Sequence, residues 1–161
     1  MAEPPVTDQG PPVADQGPLA PPGAGRDAGS GWHRPLGHTP RIALSADTAQ
    51  TPGMARLEGI SGRLWGSEGL WMGETHLEAG VSSSDHHHGE SETAIYVVSG
   101  HPAFVFVEDG KQRRIETAPG DYVYVPPWTP HREENPGGDE AVVVIARSTQ
   151  EAIVVNLTGL S

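Results

Sequence analysis

The run GDYVYVPP, residues 120–127, sets Tyr122 and Tyr124 against Val123 and Val125. Two alternating faces of different character are the signature of a strand. Similar short runs rich in Val, Ile and aromatics recur along the chain, each bounded by Gly, Pro, Asn or Asp: RLWGSEGLWMGETHLEAG, ETAIYVVSG, AFVFVEDG, KQRRIETA, EAVVVIARS and EAIVVNL. Asp109-Gly110 in EDGK falls between two of them and predicts a tight hairpin. No stretch of ten or more residues carries a helical apolar stripe. The segment TAQTPGMARLEG, 48–59, is expected to hold at most a short turn of helix. Roughly seven or eight short strands separated by turns predict an all-β, jelly-roll type of barrel. A barrel of that size encloses one small ligand.

This pattern begins only after residue 38. The first forty residues hold nine of the 16 prolines and seven of the 21 glycines. They include a near-repeat, PPVTDQG from Pro4 and PPVADQG from Pro11. Few apolar side chains are available there to offset the entropy of ordering. Residues 1–38 are therefore expected to be a disordered, solubilising tail, with a docking role for the repeat as the alternative. Residues 39–161 are expected to be one folded domain.

The charge balance narrows the partners. The formal net charge is −11, with Lys111 and nine arginines against 21 carboxylates. Such a surface repels phosphate backbones and anionic membranes, so neither nucleic acid nor membrane is an expected partner. There is no cysteine, hence no disulfide framework and no thiolate metal site. The start MAEPPVTDQG lacks the pattern of a signal peptide, and no apolar run approaches the ~20 residues that span a bilayer. A soluble cytoplasmic protein is the expectation.

Within the β-rich part, GVSSSDHHHGESETAIYVVSG places three histidines in a row. On a strand, residues i and i+2 share a face, so His86 and His88 point together and His87 points away. Glu92 shares their parity if the strand continues. Two imidazoles and a carboxylate on one wall suit a borderline divalent metal. His131, after the strand in GDYVYVPPWTPH, is the natural further ligand. The competing reading is a solvated histidine patch with His131 as an ordinary surface residue.

These residues carry a resemblance to the cupin superfamily. Its first motif is commonly written G-x5-H-x-H-x3-4-E-x6-G. Gly80, His86, His88 and Glu92 match it, with seven residues rather than six before Gly100. The second is commonly written G-x5-P-x-G-x2-H-x3-N. Gly120, Pro126, His131 and Asn135 match, with Trp128 where glycine is usual. Because tryptophan adopts positive φ less readily than glycine, that turn is expected to differ, with Pro127 and Pro130 stiffening it. The motifs span residues 80–135, and flanking strands extend the likeness over roughly 40–157.

The resemblance implies a single jelly-roll barrel holding one divalent transition metal (Fe, Zn, Mn or Ni) on His86, His88, Glu92 and His131. It also implies a homodimer and a small-molecule substrate or ligand. The expected function is a metal-dependent enzyme of dioxygenase or isomerase/lyase type acting on a small polar molecule. The alternatives are a non-catalytic ligand-binding or sensory cupin, and a structural partner acting through its tail. No separate catalytic base is assigned. His76 is read as a strand-surface histidine. Tyr96, Phe104, Phe106, Tyr122 and Tyr124 are read as core before pocket, Trp128 as lying at the barrel mouth, and Arg132 and Glu133 as facing solvent.

Overall fold

The computed structural model describes residues 35–149 and 154–160. The tail reading for residues 1–34 lies outside them. Pro35 to His38 run without regular structure, and Gly37 lies so close to Trp65 that a Cβ there would meet the indole at 2.6 Å. Thr39 then ties the chain down: its hydroxyl donates to Gly59 O and accepts from Trp65 Nε1, both at 2.8 Å.

Among the described residues ten strands follow, in chain order β1 (Met54–Ile60), β2 (Trp71–Leu77), β3 (His86–His87), β4 (Thr93–Ser99), β5 (Ala103–Glu108), β6 (Lys111–Glu116), β7 (Tyr122–Val125), β8 (His131–Glu134), β9 (Ala141–Arg147) and β10 (Val155–Asn156). They form two five-stranded sheets, β1-β2-β9-β4-β7 and β10-β3-β8-β5-β6. All pairings are antiparallel. This is the expected all-β jelly roll.

The first sheet obeys period two closely. Trp71, Leu77, Ile95, Val97, Val125, Ala141, Val143 and Ile145 point inward and form the core with Met54 and, from the second sheet, Phe104. Full burial of each larger aliphatic is worth about 1.5–3 kcal/mol, so this wall supplies most of the apolar stabilisation. Tyr96, Tyr122 and Tyr124 leave by the outer face and are exposed, so of the aromatics read as core only Phe104 belongs to it. The hairpin at 108–111 forms as expected: Glu108 pairs with Lys111, and Asp109 (φ 51) and Gly110 (φ 70) take the left-handed conformations that a two-residue turn requires.

Residues 48–59 depart from expectation, because residues 54–60 are strand β1. Met54, Arg56 and Glu58 all point inward. The buried charges disguised the period-two pattern. The helical turn lies later, as α1 (Gly62–Trp65), with the Ser61 hydroxyl accepting from Leu64 N–H at 3.1 Å at its start and Gly66 (φ 65) at its end.

Candidate metal centre

The second sheet builds the site. β3 and β8 pair so that His86 lies directly opposite His131, and cross-strand partners project to the same face. His88, two residues past His86, keeps that face just beyond the end of β3. The three rings converge, with centroids 4.5 Å apart for His86–His131, 4.8 Å for His88–His131 and 5.2 Å for His86–His88. All three side chains are buried, and each offers one ring nitrogen within 4.8 Å of the others. This is the His/Asp/Glu grouping of metal-binding spacing found among the described residues.

Each ring is fixed by its other nitrogen. His86 Nδ1–H donates to Ser84 O at 2.8 Å, and His131 Nδ1–H donates to Thr129 O at 2.9 Å. His88 Nδ1 pairs with Thr93 Oγ1 at 2.9 Å. The Nε2 atoms of His86 and His131 are buried with no hydrogen-bond partner. Orphaned buried nitrogens are costly, and imidazoles held at Nδ1 with Nε2 left open have the form of metal ligands. Burial also holds His88 and His131 below the usual imidazole pKa. For His88 the charges of Arg147, His131, His86 and Arg56 push the same way; for His131 the Glu133 carboxylate opposes. Neutral rings are the form that binds metal. The residues present therefore fit a divalent transition metal.

The structure does not bring Glu92 to this cluster. Glu92 is exposed, and its carboxylate accepts a hydrogen bond from the Tyr124 hydroxyl at 2.8 Å. The turn at Gly89 (φ 58) resets the parity before β4 begins. From there Thr93, Ile95 and Val97 face inward, and Ala94, Tyr96 and Val98 outward. Thr93 thus occupies the inward place. The spacing agrees: four residues separate His88 from Thr93, and six separate Thr93 from Gly100. The apparent extra residue before Gly100 disappears, and a hydroxyl stands where the motif has a carboxylate.

The turn at Trp128 is not altered as expected. Trp128 itself adopts φ 61, the left-handed conformation glycine favours, and its N–H donates to Gly89 O at 2.7 Å. Its ring is 62% exposed and sits 5.4 Å from that of His87. His87 Nδ1 accepts from Gly89 N–H at 3.0 Å, so this histidine orders the loop. Asn135 is a clamp: its buried amide donates to Leu77 O, Glu78 O and Asp139 O. His76 lies on the outer face between Glu74 and Glu140, each at 3.2 Å.

Besides Glu58 on β1, three charged groups were not anticipated inside the barrel. Glu133 was expected in solvent but is 2% exposed, because it lies two residues from His131 on the same face of β8. Arg132, with the opposite parity, is the outward one and pairs with Glu134 and Asp85. Arg56 and Arg147 are each 1% exposed. Arg147 lies across from Thr93 in the β4–β9 register and over the Trp71 ring, 5.6 Å from its centroid. Burial and the neighbouring Arg56 charge push Arg147 down to about 9, against the pull of Glu133. Burial likewise lowers Arg56, again opposed by Glu133. Parity along β8, β9 and β1 was the available signal for all three.

Comparison with known proteins agrees with this geometry. The cupin domain profile matches residues 73–147. The chain is 27% identical over 86 residues to a 3-hydroxyanthranilate 3,4-dioxygenase of Cupriavidus pinatubonensis, covering 51% of this chain and 46% of that protein. It thus spans about half the length of this relative. Oxalate decarboxylase from Bacillus subtilis superposes with a TM-score of 0.60 at 23% identity, over 69% of this chain and 29% of the other. An oxalate oxidase in complex with the substrate analogue glycolate gives 0.62 at 18%, over 74% and 63%. The profile match identifies residues 73–147 as a cupin domain, and the two-sheet barrel that contains them shares the fold of these neighbours.

Proposed function

We propose that His86, His88 and His131 hold one divalent transition metal, and that the protein is a metal-dependent enzyme acting on a small, polar, oxygenated molecule. The observation that carries the reading is the convergence of three buried imidazoles whose outer nitrogens are already engaged. A metal at this position supplies Lewis-acid polarisation of a bound oxygen or, if redox-active, oxygen chemistry. Three protein ligands leave coordination positions open for water or substrate. The dioxygenase relative and the oxalate-handling neighbours support chemistry of this kind, in the dioxygenase or isomerase/lyase range. Imidazole donors suit iron, zinc and nickel, while Mn(II) centres are described for the Bacillus subtilis neighbour. Glu92 stays outside the donor set.

The chain's own residues do the positioning. Ser84 O, Thr129 O and Thr93 Oγ1 orient the rings, and the apolar wall of the first sheet keeps bulk water from the interior. We place the protein in the cytoplasm as a homodimer; among the described residues no helix is long and apolar enough to cross a membrane. Analytical ultracentrifugation tests the dimer.

The deciding experiment is purification without affinity resin or added metal, followed by elemental analysis and a ligand-field or paramagnetic spectrum. About one equivalent of metal with exchangeable water is expected. A metal with no exchangeable position makes this a binding or sensory domain instead, and absence of stoichiometric metal after reloading overturns the reading.

A further inference from the structure

The barrel interior holds more cationic side chains than its metal ligands require. Three neutral imidazoles bring no charge to a dication. Arg56 adds a buried guanidinium group to that dication, with Glu133 as a buried carboxylate against the two. The other deeply buried carboxylate, Glu58, is taken by Arg63 at 3.0 Å. Buried charge without compensation is strongly destabilising.

The polar atoms show where compensation belongs. Arg56 Nη1 donates to Ala49 O at 2.5 Å, but its Nε is buried with no partner. Directly across the β1–β2 ladder stands Thr75, whose Oγ1 is also buried and unpartnered. An N–H and an O–H donor thus sit side by side on the inner face of the first sheet. Both side chains face the barrel interior, into which the three buried histidines also project. Charged donors in a water-poor interior recognise an oxyanion, and guanidinium matches carboxylate in shape and charge.

We infer that the interior takes a small carboxylate ligand, with Arg56 and Thr75 as its anchor beside the three histidines. The inference deepens the metal reading and rests on it for the ligand's approach to the cation. The anion site itself is built by side chains and is testable without metal. Arg56 and Thr75 are binding residues, and the reacting end of the ligand lies toward the histidines.

The test titrates the metal-free full-length chain with acetate, oxalate and neutral acetamide by calorimetry, with zinc binding measured in parallel. Saturable binding of the carboxylates and none of acetamide is expected. Arg56→Met and Thr75→Val should each weaken carboxylate binding about tenfold or more, with zinc stoichiometry unchanged. Arg56 also clamps residue 49, so Thr75→Val carries the test if Arg56→Met fails to fold. Carboxylate binding that depends on Thr75 in a protein that takes no zinc upholds the anion site and removes the metal reading. Equal binding of acetate and acetamide, or no saturable carboxylate binding with or without zinc, overturns the inference.

Discussion

The two sheets of this barrel divide the labour unevenly. The first has four seven-residue strands, β1, β2, β4 and β9, and contributes nearly all of the apolar cluster. The second gives Phe104 to that cluster and includes the two-residue β3 and the four-residue β8, which face the interior with His86, His131 and Glu133. The first sheet can therefore hold the fold while β3 and β8 of the second spend their inward positions on histidine and glutamate. Even so, the first sheet also turns Arg56, Thr75, Thr93 and Arg147 inward, so its apolar cluster is interspersed with polar positions.

The largest expected effect tests the second sheet. Replacing His86 and His88 together with Ala should lower metal affinity by more than about a hundredfold, since loss of a mere hydrogen-bond partner to a ligand costs about 10–100-fold. Elemental analysis after dialysis reads this directly. The metal-free variant should keep its far-UV spectrum. Retention of a full equivalent of metal would put the ligands elsewhere.

The converse change is Ile145→Ala, at the centre of the first sheet. Removing a fully buried isoleucine costs about 2–5 kcal/mol, measurable as a lower denaturation midpoint with little change in slope. If the double histidine variant destabilised the metal-free protein as much as this substitution, the division between the sheets would be wrong.

Acid should act on the second sheet alone at first. In the unfolded chain His88 and His131 titrate near about 6.5, whereas burial holds both lower in the fold. Below that pH the unfolded chain binds protons that the native state does not. The stability these rings allow is thus present above about pH 6.5 and lost as pH falls, at up to about 1.4 kcal/mol per pH unit for each ring. Urea midpoints of chelated protein between pH 8 and 5 check this, and bound metal should be released over the same range. A flat midpoint would place the rings in solvent.

This contrast explains what could be read in the sequence. β4 and β9 of the first sheet announce themselves through Val and Ile at period two, as in EAVVVIARS, whereas β1 is disguised by its inward Arg56 and Glu58. The hairpin at Asp109-Gly110 is dictated by its own φ requirements. In the second sheet β5 was legible as AFVFVEDG, but β3 and β8 carry histidine and glutamate inward, so HH and HREE have no apolar period to detect. The histidines were legible because i and i+2 parity survives such short strands. Glu92 was misplaced because a left-handed turn at Gly89 intervenes, and parity does not pass through such a turn. Glu133 was missed because its charge was taken to mean solvent, and Arg56 and Arg147 drew no reading, although each follows the parity of a buried neighbour.

A smaller effect sharpens the parity argument. Thr93→Val removes the hydroxyl that orients His88 while keeping the volume, and metal affinity should fall about tenfold. Glu92→Gln should leave metal affinity unchanged, because its carboxylate meets only Tyr124 among the described residues. Competition against a chromophoric chelator measures both. An equal loss for Glu92→Gln would return that carboxylate to the donor set.

The smallest effect concerns the seam between the two motif loops. Trp128 holds φ 61, which costs a non-glycine residue about 1–2 kcal/mol. Trp128→Gly removes that strain but adds about 0.4–1 kcal/mol of unfolded-chain entropy and gives up the ring against His87. The terms nearly cancel, so the denaturation midpoint should barely move. Trp128→Ala keeps the strain and loses the ring, so it should be the less stable of the two by about 1 kcal/mol. If alanine and glycine were equally stable, the backbone there would relax without cost. The hydrogen bond from residue 128 to Gly89, rather than the conformation it imposes, would then be what joins the loops above the three histidines.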